Sequence, residues 1–243
     1  METMLKIKNL TVNIDKKEVI KNLSLRLQKG KIHALAGPNG SGKTSLCFSI
    51  MGHPDYKISA GEILLNNGGI ARLNTEEKAK LGIFLSFQEP PEISGVGVYS
   101  FLMTMIAKQG QKHAFAALNE AKEIVRSLGL EQSFLDRNLN EGFSGGEKKK
   151  CELLQLAISE PRVAILDEID AGLDADALKT AVKIIKKTAE NGTAVLIISH
   201  SPRIFKMLKP DFAHIMIDGK IIKSGDAKLL KQIENGYQKI KTK

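Results

Sequence analysis

Between Gly37 and Thr44 the chain reads G-P-N-G-S-G-K-T, eight residues whose types and order suit a phosphate chain. Gly37, Gly40 and Gly42 let the backbone curl so that successive N–H groups converge on one point. Lys43 adds a positive charge for the terminal phosphates and Thr44 offers a hydroxyl to Mg²⁺. Pro38, Asn39, Ser41 and Ser45 complete the loop and its exit. A helix beginning at about Lys43 would aim its positive end at the same anion. The motif predicts ATP binding. A second constellation is Val163-Ala-Ile-Leu-Asp167-Glu168, four apolar residues that end on two acids. Asp167 suits Mg²⁺ held through water, and Glu168 suits a general base, a role worth ~10²–10⁴ in rate. A third is Phe143-Ser-Gly-Gly-Glu147, where Ser144, Gly145 and Gly146 precede a helix and form another anion-binding terminus. One γ-phosphate does not need two such termini. They make sense together if Ser144 of one copy covers the nucleotide held by Lys43 of another. Cys47, one turn along the first helix, reads as a small buried side chain.

The elements that must carry these groups can be read from hydrophobic period. Leu5–Leu10, Leu23–Leu27 and Lys31–Ala36 read as strands. In the second, Leu23, Leu25 and Leu27 alternate with Ser24, Arg26 and Gln28. Another strand, Gly61–Leu65, closes on the turn-forming Asn66-Asn67-Gly68-Gly69. After Pro90-Pro91 the pattern becomes helical, over about Tyr99–Lys108, Ala114–Leu128 and Glu147–Ser159. Beyond Pro161, Val163–Leu166 and Thr193–Ser199 are apolar on both faces, and Ala175–Glu190 between them is helical. Ile215–Ile222 reads as a hairpin turning at Asp218-Gly219. Doubly apolar strands alternating with helices predict an α/β fold whose sheet is mostly parallel and buried between helices.

Bulk properties narrow the function. The 243 residues are 42% hydrophobic and 26% charged, ordinary for a soluble globular protein of one or two domains. Cys47 and Cys151 lie far apart without metal-like spacing, which fits a reducing compartment. With no signal peptide or bilayer-length apolar run, the expectation is a soluble, cytoplasmic protein. The net charge of +9 invites a nucleic-acid reading, but Arg26, Arg72, Arg126, Arg137, Arg162 and Arg203 are the only arginines among 36 basic residues. Bidentate reading of phosphates and guanine favours arginine, and the lysines are spread along the chain. A solvated lysine-rich surface and no direct nucleic-acid contact are expected. No internal repeat occurs, so one nucleotide-binding unit is expected.

The order of these motifs resembles the ATP-binding cassette (ABC) ATPases. Phe143-Ser-Gly-Gly-Glu147 matches their signature motif, and Gln88, after Ile83–Phe87, matches the glutamine of their Q-loop. Ala171-Gly-Leu-Asp174 matches the D-loop, and His200 after the Thr193–Ser199 strand matches the switch histidine. The resemblance implies ATP hydrolysis with Mg²⁺ held by Thr44, Gln88 and Asp167. Catalysis would fall to Glu168, Gln88 and His200. It implies a head-to-tail dimer in which Ser144, Gly145, Gly146 and Asp174 approach the nucleotide of a second copy. The implied fold is a P-loop NTPase (RecA-like) core with an N-terminal antiparallel β subdomain, together residues 1–88 and 161–243, and an inserted helical subdomain, 89–160. Two departures stand out. Ile14 replaces the aromatic residue that stacks on adenine, and the signature ends in Glu147 followed by Lys148, Lys149 and Lys150, read here as coating an exposed face.

The runs Phe87–Val96, Gly142–Lys150 and Leu166–Leu178 resemble more narrowly the SufC branch. That branch implies iron–sulfur cluster assembly with soluble SufB- and SufD-like scaffold proteins and no membrane insertion. The nucleotide-binding subunit of a membrane ABC transporter would carry nearly identical motifs and stays open as the alternative. Residues Pro90–Met105 would form the partner contact by analogy, although Val96–Ile106 could equally be helical-subdomain core.

Overall fold

A computed structural model of the chain describes residues 2–107 and 114–231. It opens with a long antiparallel hairpin, β1 (Thr3–Ile14) and β2 (Lys17–Gln28), joined by Asp15 and Lys16, both in the left-handed region. Along β2, Leu23, Leu25 and Leu27 are buried while Ser24 and Arg26 face solvent, as the alternation predicts. Both strands extend well beyond the runs picked out by pattern, because bulges let half-polar segments pair as well. With β4 (Lys57–Leu65) and the short β5 (Gly68–Gly69) they form one sheet in the order β2-β1-β4-β5.

The second sheet positions the chemistry. Its six strands run in the order β12-β11-β3-β10-β9-β6. These are β3 (Ile32–Ala36), β6 (Ile83–Ser86), β9 (Val163–Asp167), β10 (Ala194–Ile198), β11 (Phe212–Ile217) and β12 (Lys220–Gly225). Every strand pair here is parallel except β11–β12. All residues of β3, β9 and β10 are buried, the signature of strands covered on both faces. Register places Ser86 beside Leu166, Asp167 beside Ile198, and Ile198 beside Leu35. Four parallel strands therefore end level with one another, and each hands its next residues to one edge.

Helices cover the sheet: α1 (Lys43–Met51), α2 (Thr75–Lys80), α6 (Ala175–Glu190), α7 (Pro202–Leu208) and α8 (Lys228–Lys231). The segment after β6 holds β7 (Ile93–Gly97), α3 (Val98–Ala107), α4 (Ala114–Ser127), a 3₁₀ turn (Gln132–Asp136), β8 (Asn138–Leu139) and α5 (Gly145–Ser159). Lys108, the last residue of the expected Tyr99–Lys108 helix, lies outside the described residues. Val98, Leu102, Ile106, Phe134, Phe143, Cys151 and Leu154 build a separate apolar core there. Among the described residues, no helix is long and apolar enough to cross a membrane.

A buried histidine pair ties four strands of this architecture together, β2, β3, β11 and β12. Gln28 N–H donates to His33 Nε2 at 3.1 Å, which puts the His33 proton on Nδ1, facing His214 Nε2 at 3.0 Å. His214 Nδ1 then faces Ser224 Oγ at 2.8 Å. Burial, reinforced by the neighbouring His214, lowers His33 to about 3, and burial lowers His214 to about 4. Both stay neutral in the folded chain, whereas the unfolded chain takes up protons near 6.5. Stability from this pair is therefore full above that pH and falls as pH drops toward 4, by at most about 1.4 kcal/mol per unit for each ring. A His214→Asn variant should show a shallower loss of urea midpoint between pH 7 and pH 5 than the wild type. Parallel curves would remove the pair from the account.

Candidate active site

Four of the sequence-derived groups follow the level carboxyl ends of parallel strands, the edge where α/β proteins bind ligands. The 37–42 loop leaves β3, Gln88 follows β6, Asp167 and Glu168 end β9, and His200 follows β10. They line one cleft of about 680 Å³ together with Asn39, Gly40, Gly42, Lys43, Thr44 and Ser45. The loop is packed without slack. A Cβ at Gly37 would lie 2.2 Å from the Met216 carbonyl oxygen, and Gly42 has a φ of 101° that side chains rarely adopt. Lys43 Nζ donates to the carbonyls of Gly37 and Pro38 at 2.9 and 3.0 Å. Burial pulls its ammonium below the usual lysine value, while Asp167 and Glu168 pull the other way. Cys47 is buried, and that burial drives its thiol well above the usual value, as expected of an inert packing residue.

Thr44 Oγ1 donates to Asp167 Oδ2 at 2.9 Å. Burial raises the Asp167 carboxyl and the Thr44 bond opposes it. Hydroxyl, carboxylate and the Gln88 amide thus share one cleft, a set of oxygen donors that suits a hard divalent cation. Glu168 is next along the chain yet points elsewhere, because its backbone turns left-handed at φ 52° and its N–H donates to the Ile198 carbonyl at 2.9 Å. That conformation costs roughly 1–2 kcal/mol in a residue with a side chain. In return Glu168 reaches across the cleft. Gln88 Nε2 lies 3.3 Å from its Oε2, and His200 Nε2 lies 3.3 Å from its Oε1. Glu168 is therefore gripped from both sides at a point open to water.

Several residues fall elsewhere. Ser144 caps α5 in a reciprocal box: its Oγ accepts the Glu147 N–H at 3.2 Å, and Glu147 Oε2 accepts the Ser144 N–H at 2.8 Å. Asp174 caps α6 by accepting from Asp176 and Ala177 at 3.0 and 2.8 Å. Gly146 packs so tightly on Gly172 that an added Cβ would sit 2.8 Å from the Gly172 oxygen, which makes the two caps one patch. Neither Ser144, Gly145, Gly146 nor Asp174 lines the cleft of its own chain. Ile14 does not line it either. It pairs with Lys17 at the tip of the first hairpin, and the apolar residue that reaches the cleft is Val19, further along β2.

Sequence reasoning missed three contributions. Lys17, Glu18, Val19 and Lys21 of β2 line the cleft, and so do Asp218 and Gly219. The Gly219 N–H donates to the Ser41 carbonyl, and its own carbonyl accepts from Lys21, both at 2.9 Å, so the hairpin turn braces the phosphate loop against β2. No local pattern signals contacts between segments so far apart in sequence. The third is a correction. Lys148 to Lys150 do not coat an exposed face: Lys149 is 3% exposed, Lys148 pairs with Glu92 and Lys150 approaches Asp174.

If Glu168 polarises the attacking water, Glu168→Gln should keep nucleotide affinity and lower phosphate release by ~10²–10⁴. Near-wild-type release by that variant would refute the assignment.

Comparison with known proteins agrees with this geometry. Residues 20–171 match the ABC transporter family. Vegetative protein 296 of Bacillus subtilis is 42% identical over 242 residues, covering 98% of this chain and 93% of that protein. A probable ATP-dependent transporter, ycf16, of Cyanophora paradoxa is 39% identical over 241 residues, covering 96% of this chain and 93% of that protein. Among solved structures, an ATP-binding subunit of an ABC transporter superposes with a TM-score of 0.82 at 20% identity, over 96% of this chain and 93% of its own. A dimeric post-hydrolysis cassette bound to ADP and Pi gives 0.76 at 21% identity, over 92% and 99%. With its phosphate loop, paired acids and signature helix on a matching fold, the chain belongs to the ABC transporter family, as one of its ATPase cassettes.

Proposed function

We propose that this chain binds ATP between two of its copies and uses hydrolysis to change the conformation of a separate partner. The observation that carries this reading is the incompleteness of the cleft. Lys43, Thr44, Gln88, Asp167, Glu168 and His200 line it, but Ser144 and Asp174 of the same chain do not. In a head-to-tail pair the α5 N-terminus of one copy would cover the nucleotide of the other. Thr44, Asp167 and Gln88 would hold Mg²⁺, which supplies charge neutralisation at the phosphates. The loop N–H groups and Lys43 orient the phosphate chain, Glu168 polarises water, and His200 holds Glu168 in place. Val19 gives the base an apolar contact without ring stacking, a role that Ile14 at the hairpin tip is poorly placed to fill.

The partner surface follows from exposure. Among the described residues, the large hydrophobic side chains left exposed are Phe87, Ile93 and Tyr99, all just beyond or beside Gln88. Val98, Leu102 and Ile106 of the same stretch are buried, so one helix face serves the core and the other is free for contact. A strip of this kind beside the catalytic glutamine suits a protein that transmits force. The runs that resemble SufC support SufB- and SufD-like scaffold proteins as that partner, and hence iron–sulfur cluster assembly in the cytoplasm. The names of the relatives favour a second reading, in which the partner is a membrane ABC transporter.

Two experiments separate the parts of this reading. Mixing Lys43→Ala with Ser144→Arg should restore ATP hydrolysis that neither variant shows alone, since the mixed pair keeps one intact composite site. No recovery at any ratio would contradict the two-copy site. Affinity purification of the native protein should yield a stable complex with soluble scaffold proteins. Recovery only with an integral membrane protein would transfer the assignment to the transporter reading.

A further inference from the structure

The residue before Gln88 is held by an ion pair that the hydrolysis chemistry itself does not use. Lys149 and Glu152 lie one turn apart on α5, each with a side chain 4% exposed, and their Nζ and Oε2 atoms are 3.2 Å apart. Both ions also reach out of the helix to the same residue. Glu152 Oε1 accepts the Phe87 N–H at 2.7 Å, and Lys149 Nζ donates to the Phe87 carbonyl. Glu152 Oε2 accepts from Ser86 Oγ at 2.9 Å, and Lys149 Nζ lies 3.4 Å from the Asp167 carbonyl. Strand β6 ends at Ser86, so the polar backbone atoms of Phe87 have lost the sheet as a partner, and this pair supplies both partners. All three Lys149 donors and both Glu152 oxygens are engaged. Burying two charges is costly unless such bonds offset it, and an apolar helix face would fill the space at lower cost. An apolar face, however, could not fix the Phe87 backbone.

We propose that Lys149 and Glu152 are positioning residues that clamp the backbones of Phe87 and Asp167 to the signature helix. The neighbours of those two residues, Gln88 and Glu168, then meet only while α5 keeps its place. The inference rests on the ATPase reading of the cleft and not on which partner is bound. Its consequence is a short rigid route: Phe87 is exposed on the partner strip, and α5 begins at the cap that faces the second copy. Pressure on the strip and closure of the pair act on the same clamp.

The test uses the full chain with ATP, measuring kcat, KM, affinity for a fluorescent ATP analogue, and thermal melting. Lys149→Met and Glu152→Gln should each lower kcat by about 10–100-fold, with nucleotide affinity held within about twofold and cooperative melting retained. Glu152→Asp and Lys149→Arg should recover part of the loss. The exchanged pair K149E/E152K restores opposite charges, but it places an ammonium against the Phe87 N–H and a carboxylate against its carbonyl, so kcat should stay low. Recovery of kcat in the exchanged pair, unchanged kcat in the single variants, or a proportional fall of kcat and affinity would each overturn the clamp. If the exchanged pair does not fold, the contrast between Glu152→Gln and Glu152→Asp decides. A wild type that turns over ATP while the variants do too defeats only the clamp. A wild type without turnover defeats the ATPase reading itself.

Discussion

Everything in the active cleft depends on the pairing of β6, β9, β10 and β3 as parallel neighbours in register. Parallel strands send their carboxyl ends the same way, so one hydrogen-bonded ladder delivers a glutamine, two acids, a histidine and a phosphate loop to a common edge. The driving force is burial. Each of β3, β9 and β10 is covered on both faces, and burying an aliphatic side chain is worth about 1.5–3 kcal/mol. The polar groups of the cleft work against folding. Asp167 is desolvated, and Glu168 holds an unfavourable backbone conformation. Apolar strands carry that cost, which is why the polar chemistry sits at their ends and not within them.

The same ladder makes two other regions mechanically adjacent to the chemistry. Strand β6 runs straight into the exposed Phe87, and strand β9 runs into the turn that meets Gly146 of the signature helix. Under the proposed function, a partner on one side and a second copy on the other would both touch residues within a few positions of Gln88 and Glu168. The cleft itself is braced from behind by β2 and by the Asp218-Gly219 turn.

Much of this was legible in the sequence because the informative signals are local. The phosphate loop needs particular residues in unbroken order, and Ala175–Glu190 is a helix with those same bounds because its apolar period is uninterrupted and Asp174 caps it. Buried parallel strands announce themselves by being apolar on both faces. What failed was whatever depends on distant partners. Three consecutive lysines read as surface, and Lys149 is interior only because the Phe87 carbonyl and Glu152 meet it there. A Lys-x-x-Glu spacing looks the same on an exposed helix. The family resemblance puts Ile14 at the adenine, but the bulged hairpin brings Val19 to the cleft. Glycines 219 and 42 pack against the carbonyl of that same Val19, a contact no single-segment pattern encodes.

The central claim is that one chain holds only half of the ATP site, and cross-linking addresses it most directly. Cys47 and Cys151 are both buried, so engineered thiols would report without background. With Asn39→Cys and Ser144→Cys in one chain, on a Glu168→Gln background that keeps nucleotide bound, mild oxidation in the presence of ATP and Mg²⁺ should give a covalent dimer. Without nucleotide it should give little. Protein that stays monomeric under ATP, or that forms the bond within a single chain, would contradict the two-copy site.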